Sequence, residues 1–115
     1  MSLKILYLDD EAELCEIFSE IFASPEVAIT TYTDDKIAVE EVKKNPPDLI
    51  FIDYRLPSTT GDHVANRMDP KIPKFLITGE IAAKTTYAFL KIFTKPYPQN
   101  EIDLIIKEYL AKKAT

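Results

Sequence analysis

Short runs of apolar, β-branched and aromatic residues recur along the chain, and three of them lead into charge. Ile5-Leu6-Tyr7-Leu8 runs into Asp9-Asp10-Glu11, Leu49-Ile50-Phe51-Ile52 into Asp53, and Phe89-Leu90-Lys91-Ile92-Phe93 leads to Lys95-Pro96. A run of this length with no polar alternation fits a strand covered on both faces, which is the environment of a parallel sheet. If the three strands are parallel neighbours, their carboxyl ends gather three carboxylates and one ammonium in one crevice. Carboxylates crowded together repel unless a cation sits among them, so the pattern asks for a bound metal ion.

Between the runs the period changes. Leu14, Ile17, Phe18, Ile21 and Phe22 recur at the spacing of an amphipathic helix over 11–23, which Ser24-Pro25 ends. A short strand is predicted over 27–31. Thr33-Asp34-Asp35 supplies capping oxygens for a helix to about Lys44, with Ile37, Ala38 and Val42 inward and Asn45-Pro46-Pro47 as its stop. The segment Leu56-Pro57-Ser58-Thr59-Thr60-Gly61 reads as loop, 62–68 as a short helix, and Lys74-Phe75-Leu76-Ile77 as a strand leading into Thr78-Gly79. Residues 82–87 leave room for one or two helical turns. The last helix covers 98–112, with Ile102, Ile105, Ile106, Tyr109 and Leu110 inward.

Five strands alternating with five helices imply a single α/β domain over 1–115, built on a five-stranded parallel sheet with right-handed crossovers. The doubly wound order 2-1-3-4-5 makes strands one and three neighbours at the switch point, beyond whose carboxyl ends ligands bind. Asp9, Asp10 and Asp53 end those two strands, so topology alone points to the same crevice.

Composition removes several classes. At 115 residues with 46% apolar and 29% charged content the chain is an ordinary globular domain, and its net charge of −5 argues against direct nucleic-acid binding. No apolar stretch approaches a membrane span and no signal segment opens the chain. One cysteine excludes an internal disulfide and accords with a cytoplasmic setting.

With Asp9-Asp10, Asp53, Thr78 and Lys95-Pro96 each following a predicted strand, and Leu56-Pro57 and Gly61 following Asp53, the chain resembles a response-regulator receiver domain of two-component signalling, with the flavodoxin-like, CheY-like fold. The resemblance covers essentially the whole chain. It implies that Asp53 accepts a phosphoryl group from a sensor histidine kinase or a histidine phosphotransfer protein. It further implies that Mg²⁺ is held by Asp10, Asp53 and the backbone carbonyl of Arg55, with Asp9 acting through water. Lys95 would pair with a phosphoryl oxygen, Thr78 would move toward another, and the Lys95–Pro96 bond would be cis. Such a domain catalyses only its own phosphorylation and dephosphorylation and passes its state to a downstream effector.

The chain also departs from that pattern. Ile92 stands where a switching aromatic is expected three residues before the lysine. Asp53 to Thr78 spans 25 positions and Thr78 to Lys95 spans 17, which shortens the third and fourth helices. Arg55 and Glu80, each two residues beyond a site residue, are expected at the rim as an ion pair over the phosphoryl site or as a solvated pair. Taken alone, Asp9-Asp10-Glu11 is an acidic helix start, Asp53 a capping side chain, and Thr78 a turn residue; their common register is what favours the site. His63 reads as an exposed helix residue and Cys15 as a partly buried, inert thiol. Two other functions compete: a phosphorylation-independent interaction domain, and a Mg²⁺-dependent aspartyl phosphatase. The second lacks its second carboxylate, because Arg55 occupies that position. Kinase, output and oligomeric state are open, as is whether the domain stands alone, shuttles phosphoryl groups or belongs to a longer regulator.

Overall fold

Leu3–Leu8 (β1) is followed by Ala12–Phe22 (α1), Val27–Tyr32 (β2), Asp35–Lys44 (α2) and Leu49–Asp53 (β3) in the computed structural model, which describes residues 2–79 and 85–114. A two-residue hairpin, Arg55–Leu56 (β4) with Thr59–Thr60 (β5), leads to Gly61–Ala65 (α3); Lys74–Thr78 (β6), Lys91–Thr94 (β7) and Gln99–Ala114 (α4) complete the described elements. The main sheet has the order β2-β1-β3-β6-β7 with every pairing parallel. The doubly wound order read from the sequence is therefore the one found, and β1 and β3 lie side by side at its switch point.

Alternation along each strand divides the core into two layers. Leu3, Ile5 and Tyr7 of β1, with Phe51, Phe75 and Phe93, face α1 and α4; Leu6, Leu8, Ile50 and Ile52 face α2 and α3. Phe51 meets Phe75 at 4.9 Å and Phe75 meets Phe93 at 6.5 Å between ring centroids, so an aromatic row crosses three strands on the first face. Asp34 caps α2 as expected, its Oδ1 accepting the backbone N–H groups of Lys36 and Ile37.

Two helix faces depart from expectation. In α1 the buried side chains are Cys15, Phe18 and Phe22, whereas Ile17 and Ile21 are 45% and 37% exposed. The apolar arc of this helix is wider than the sheet can cover, and Cys15 takes the inward place. In α2, Ile37 points outward and Asp35 is buried instead, held by the Arg67 guanidinium at 2.6 Å.

The stretch between Asp53 and Lys95 is as compressed as its length requires. The helix expected over 62–68 ends at Ala65. Of the helix expected over 82–87, residues 82–84 lie outside the described residues, and 85–90 form no helix. Side chains anchor this segment: the buried Lys74 ammonium donates to the Tyr87 hydroxyl at 2.9 Å and to the carbonyls of Asp69 and Ile72. Phe89 and Leu90 precede β7 rather than opening it, leaving Leu90 and Ile92 exposed at the sheet edge.

Candidate functional site

The ends of β1 and β3 carry the chemistry. Asp9 shares the face of Ile5 and Tyr7, and Asp53 that of Leu49 and Phe51, so both side chains rise on the α1/α4 side of adjacent strands. Both are buried, at 0% and 5% exposure, while Asp10 is exposed. One carboxylate oxygen from each of the three lies within 4.8 Å of the others. Thr78 ends β6 and is buried, and its carbonyl accepts the Lys95 N–H at 2.7 Å. The Lys95–Pro96 bond is cis, and the Lys95 ammonium stands 3.0 Å from Asp53 Oδ1 and 3.6 Å from Asp9 Oδ2.

Charge in this cluster is unbalanced. Burial, then the neighbouring Asp9 charge, pushes the Asp53 carboxyl up to about 6, although the hydrogen bond and charge of Lys95 pull it down. Burial lowers the Lys95 ammonium, but the Asp53 hydrogen bond and charge outweigh burial and hold it above its ordinary value. The three carboxylates offer hard oxygen donors and face a single ammonium, a set that fits Mg²⁺. The donors open onto a cleft of about 480 Å³ lined by Asp10, Glu11, Asp53, Arg55, Gly79 and Lys95.

Gly61 sets how closely α3 approaches this cleft. A Cβ there would lie 2.6 Å from the Asp53 carbonyl oxygen and 2.9 Å from Leu76 Cδ1. The first neighbour is backbone and cannot yield without moving the strand end. Gly61→Ala is expected to cost about 1–3 kcal/mol, in the range of overpacked sites, and to move the chemical shifts of Asp53 and Tyr54. Urea unfolding and a ¹⁵N spectrum check both effects.

Arg55 lies at the rim with its guanidinium 5.8 Å over the Tyr54 ring. Its expected partner Glu80 lies outside the described residues. Ile92 is on the opposite face of the sheet from Phe93, 45% exposed and away from the acidic cluster. His63 is exposed and Cys15 buried.

Two residues of this region went unread in the sequence. Tyr7 passed as one more apolar strand residue, yet its hydroxyl donates to Asp9 Oδ2 at 2.8 Å. Asp62 passed as a helix start, yet it is buried, accepts from the Thr60 hydroxyl, and receives the N–H and hydroxyl of Thr86, each at 3.1 Å. Burial raises its carboxyl, but these hydrogen bonds outweigh burial and hold it below the ordinary carboxylate value. It thus ties the loop behind Asp53 to the chain that follows Thr78. A signal existed for Tyr7: parity puts it beneath Asp9.

Beside the cleft lies a second, apolar depression of about 500 Å³, lined by Leu14, Ile17, Ile21, Pro96 and Tyr97 and sharing Lys95 with the acidic site. Among the described residues no helix is long and apolar enough to cross a membrane.

Comparison with known proteins bears on this geometry. The family model for the response regulator receiver domain matches residues 5–107. Sporulation initiation phosphotransferase F of Bacillus subtilis is 29% identical over 122 residues, covering 99% of this chain and 98% of that protein. The chain spans about half the length of other curated relatives that it matches. Among solved structures, the signal receiver domain of an HD domain-containing protein from Pseudomonas fluorescens superimposes with a TM-score of 0.86 at 16% identity, covering 99% of this chain and 98% of that one. The receiver domain of a sensor histidine kinase from Pseudomonas aeruginosa, solved with a magnesium ion coordinated in its active-site cleft, gives 0.83 at 17% identity, covering 96% and 99%.

Proposed function

We propose that this chain, which belongs to the response regulator receiver domain family, works as one receiver domain over 1–115 that takes a phosphoryl group onto Asp53 from a histidine-bearing donor. The observation that carries this reading is the buried Asp53 carboxylate, paired with Lys95 at 3.0 Å at the mouth of a cleft. An Asp53 oxygen would form the new P–O bond while the P–N bond of a phosphohistidine breaks and the imidazole departs. Lys95, freed from its pairing with an anionic carboxylate, would then hold a phosphoryl oxygen as a point charge. Thr78, at the end of the neighbouring strand, would offer its hydroxyl to another oxygen and carry that movement into the loop beyond it.

Asp10, Asp53 and the Arg55 carbonyl would hold Mg²⁺, with Asp9 behind them. When bound, the ion would neutralise charge on the phosphoryl oxygens that the carboxylates otherwise repel. Asp10, being exposed, leaves the cleft open for a donor, and Asp9, being buried, sets its carboxyl group beneath it. The match to nearly the full length of a protein named a phosphotransferase supports a phosphoryl-transfer role for the domain. The apolar depression that shares Lys95 with the cleft would seat the donor.

The test is intact-mass spectrometry after incubation with acetyl phosphate, with Mg²⁺ and with chelator. One added phosphoryl group, only with metal, is the expected result. No adduct with acetyl phosphate or with any phosphohistidine donor would overturn the reading and favour a phosphorylation-independent interaction domain. The exposed Ile92 bears on how the state is read out, not on how Asp53 is loaded.

A further inference from the structure

We propose that Tyr7 is a positioning residue for the acidic cluster, its buried hydroxyl fixing the Asp9 carboxylate so that Asp53 and Asp10 are left to take the cation. The inference rests on the reading of Asp9, Asp10 and Asp53 as a Mg²⁺ site. Tyr7 and Asp9 lie two residues apart on one strand and share its α1/α4 face, so the phenol reaches up to the carboxylate above it. The phenol hydroxyl donates to Asp9 Oδ2 at 2.8 Å. The other oxygen, Oδ1, accepts the Glu11 N–H at 3.0 Å. Asp9 therefore has a donor on each oxygen and no freedom to turn.

The phenol itself is clamped. Its ring stacks on Phe18 with centroids 4.1 Å apart and planes within 8°, and Phe18 in turn meets Phe51 at 5.4 Å. The consequence appears at Lys95. Asp9 Oδ2, already served by Tyr7, stands 3.6 Å from the ammonium, while Asp53 Oδ1 stands at 3.0 Å. Without the hydroxyl, Asp9 would turn toward Lys95 and draw it away from Asp53. The two carboxylates would then no longer present the same donor set. Partners behind metal-binding carboxylates and histidines commonly change affinity by about 10–100-fold when removed.

The experiment is calorimetric Mg²⁺ titration of the wild type, Tyr7→Phe and Phe22→Leu. Phe22 meets Phe18 at 4.7 Å, one ring removed from Tyr7, and reports damage to the aromatic cluster alone. Tyr7→Phe is expected to weaken Mg²⁺ binding about tenfold. The Mg²⁺ concentration that half-saturates labelling by acetyl phosphate should rise by the same factor, with the labelling rate at saturating Mg²⁺ within twofold of wild type. Phe22→Leu is expected to lower the thermal midpoint and leave the affinity within twofold. An unchanged affinity in Tyr7→Phe, or an equal loss in Phe22→Leu, overturns the proposal. Absence of Mg²⁺ binding by the wild type overturns the cluster reading and this inference with it. Should Tyr7→Phe not fold, the wild type carries the test: the Tyr7 hydroxyl proton, followed by NMR, shifts along the Mg²⁺ titration, and a proton unmoved at saturation sinks the idea.

Discussion

Asp53→Asn will take up no phosphoryl group and will, without metal, be more stable than the wild type at pH 7.5. The first effect follows from the proposed nucleophile, since an amide oxygen offers no anionic attacking atom. The second follows from electrostatics. Burial and the Asp9 charge raise the folded-state value of Asp53 from 3.8 to about 6. A carboxyl raised in the folded state favours folding while protonated, so stability is lost as pH rises from about 4 to about 6 and stays lost above. Asparagine stays neutral throughout and escapes that loss, a gain of about 2–3 kcal/mol at pH 7.5. The gain should fade as pH drops through 4 and vanish near about pH 3, where the position is neutral in both chains, folded and unfolded. It should also shrink when Mg²⁺ is added, because the ion binds only the folded wild type with full affinity. Urea unfolding followed by far-UV circular dichroism measures it, the chain having no tryptophan. A variant no more stable than wild type in chelator at pH 7.5 would show that the cluster carries no net repulsion.

What was legible in the sequence was what strand ends display. Asp9, Asp53, Thr78 and Lys95 each follow an apolar run, and a doubly wound order leaves little choice about which strands adjoin. The structure brings these four together with Asp10, as the strand order requires. Residues whose role depends on which way a side chain points across an interface were not legible in the same way. Tyr7 has the composition of a strand residue, and its polar tip matters only once parity places it under Asp9. Lys74 looks like an ordinary charge at a strand start, yet oxygens from Asp69, Ile72 and Tyr87 close over it. Asp62 meets Thr86 across 24 residues, a pairing no local pattern encodes. In α1 the period identified a helix correctly but not its rotation. Cys15 ranks below isoleucine on hydropathy, yet it packs inward, its thiol donating to the Asp9 carbonyl at 3.4 Å.

That rotation gives α1 a second apolar stripe and leads to the other large effect. Ile17→Glu combined with Ile21→Glu will cut phosphoryl transfer from a phosphorylated histidine kinase by about 100-fold, while labelling by acetyl phosphate stays within twofold. Under the proposed function the donor brings a phosphohistidine to Asp53, so its own surface would lie against the rim of the cleft. On the side of Lys95 that rim is the apolar depression lined by Leu14, Ile17, Ile21, Pro96 and Tyr97. Ile17 and Ile21 are 45% and 37% exposed, so each keeps apolar area to bury against a partner. Full burial of an isoleucine contributes about 1.5–3 kcal/mol, so the exposed 45% and 37% offer about 1 kcal/mol each, and a glutamate in either place adds the cost of an unpaired charge at the contact. Two such changes at one patch therefore reach a loss of about 100-fold, even with the non-additivity of neighbouring contacts. A small donor needs none of this surface, because it enters the cleft directly. Transfer is followed with an autophosphorylated kinase chosen because it labels the wild type, alongside thermal melts of both proteins. Equal losses with kinase and acetyl phosphate would mean that the substitutions act through the cleft, and no loss with the kinase would place its docking surface elsewhere on the domain.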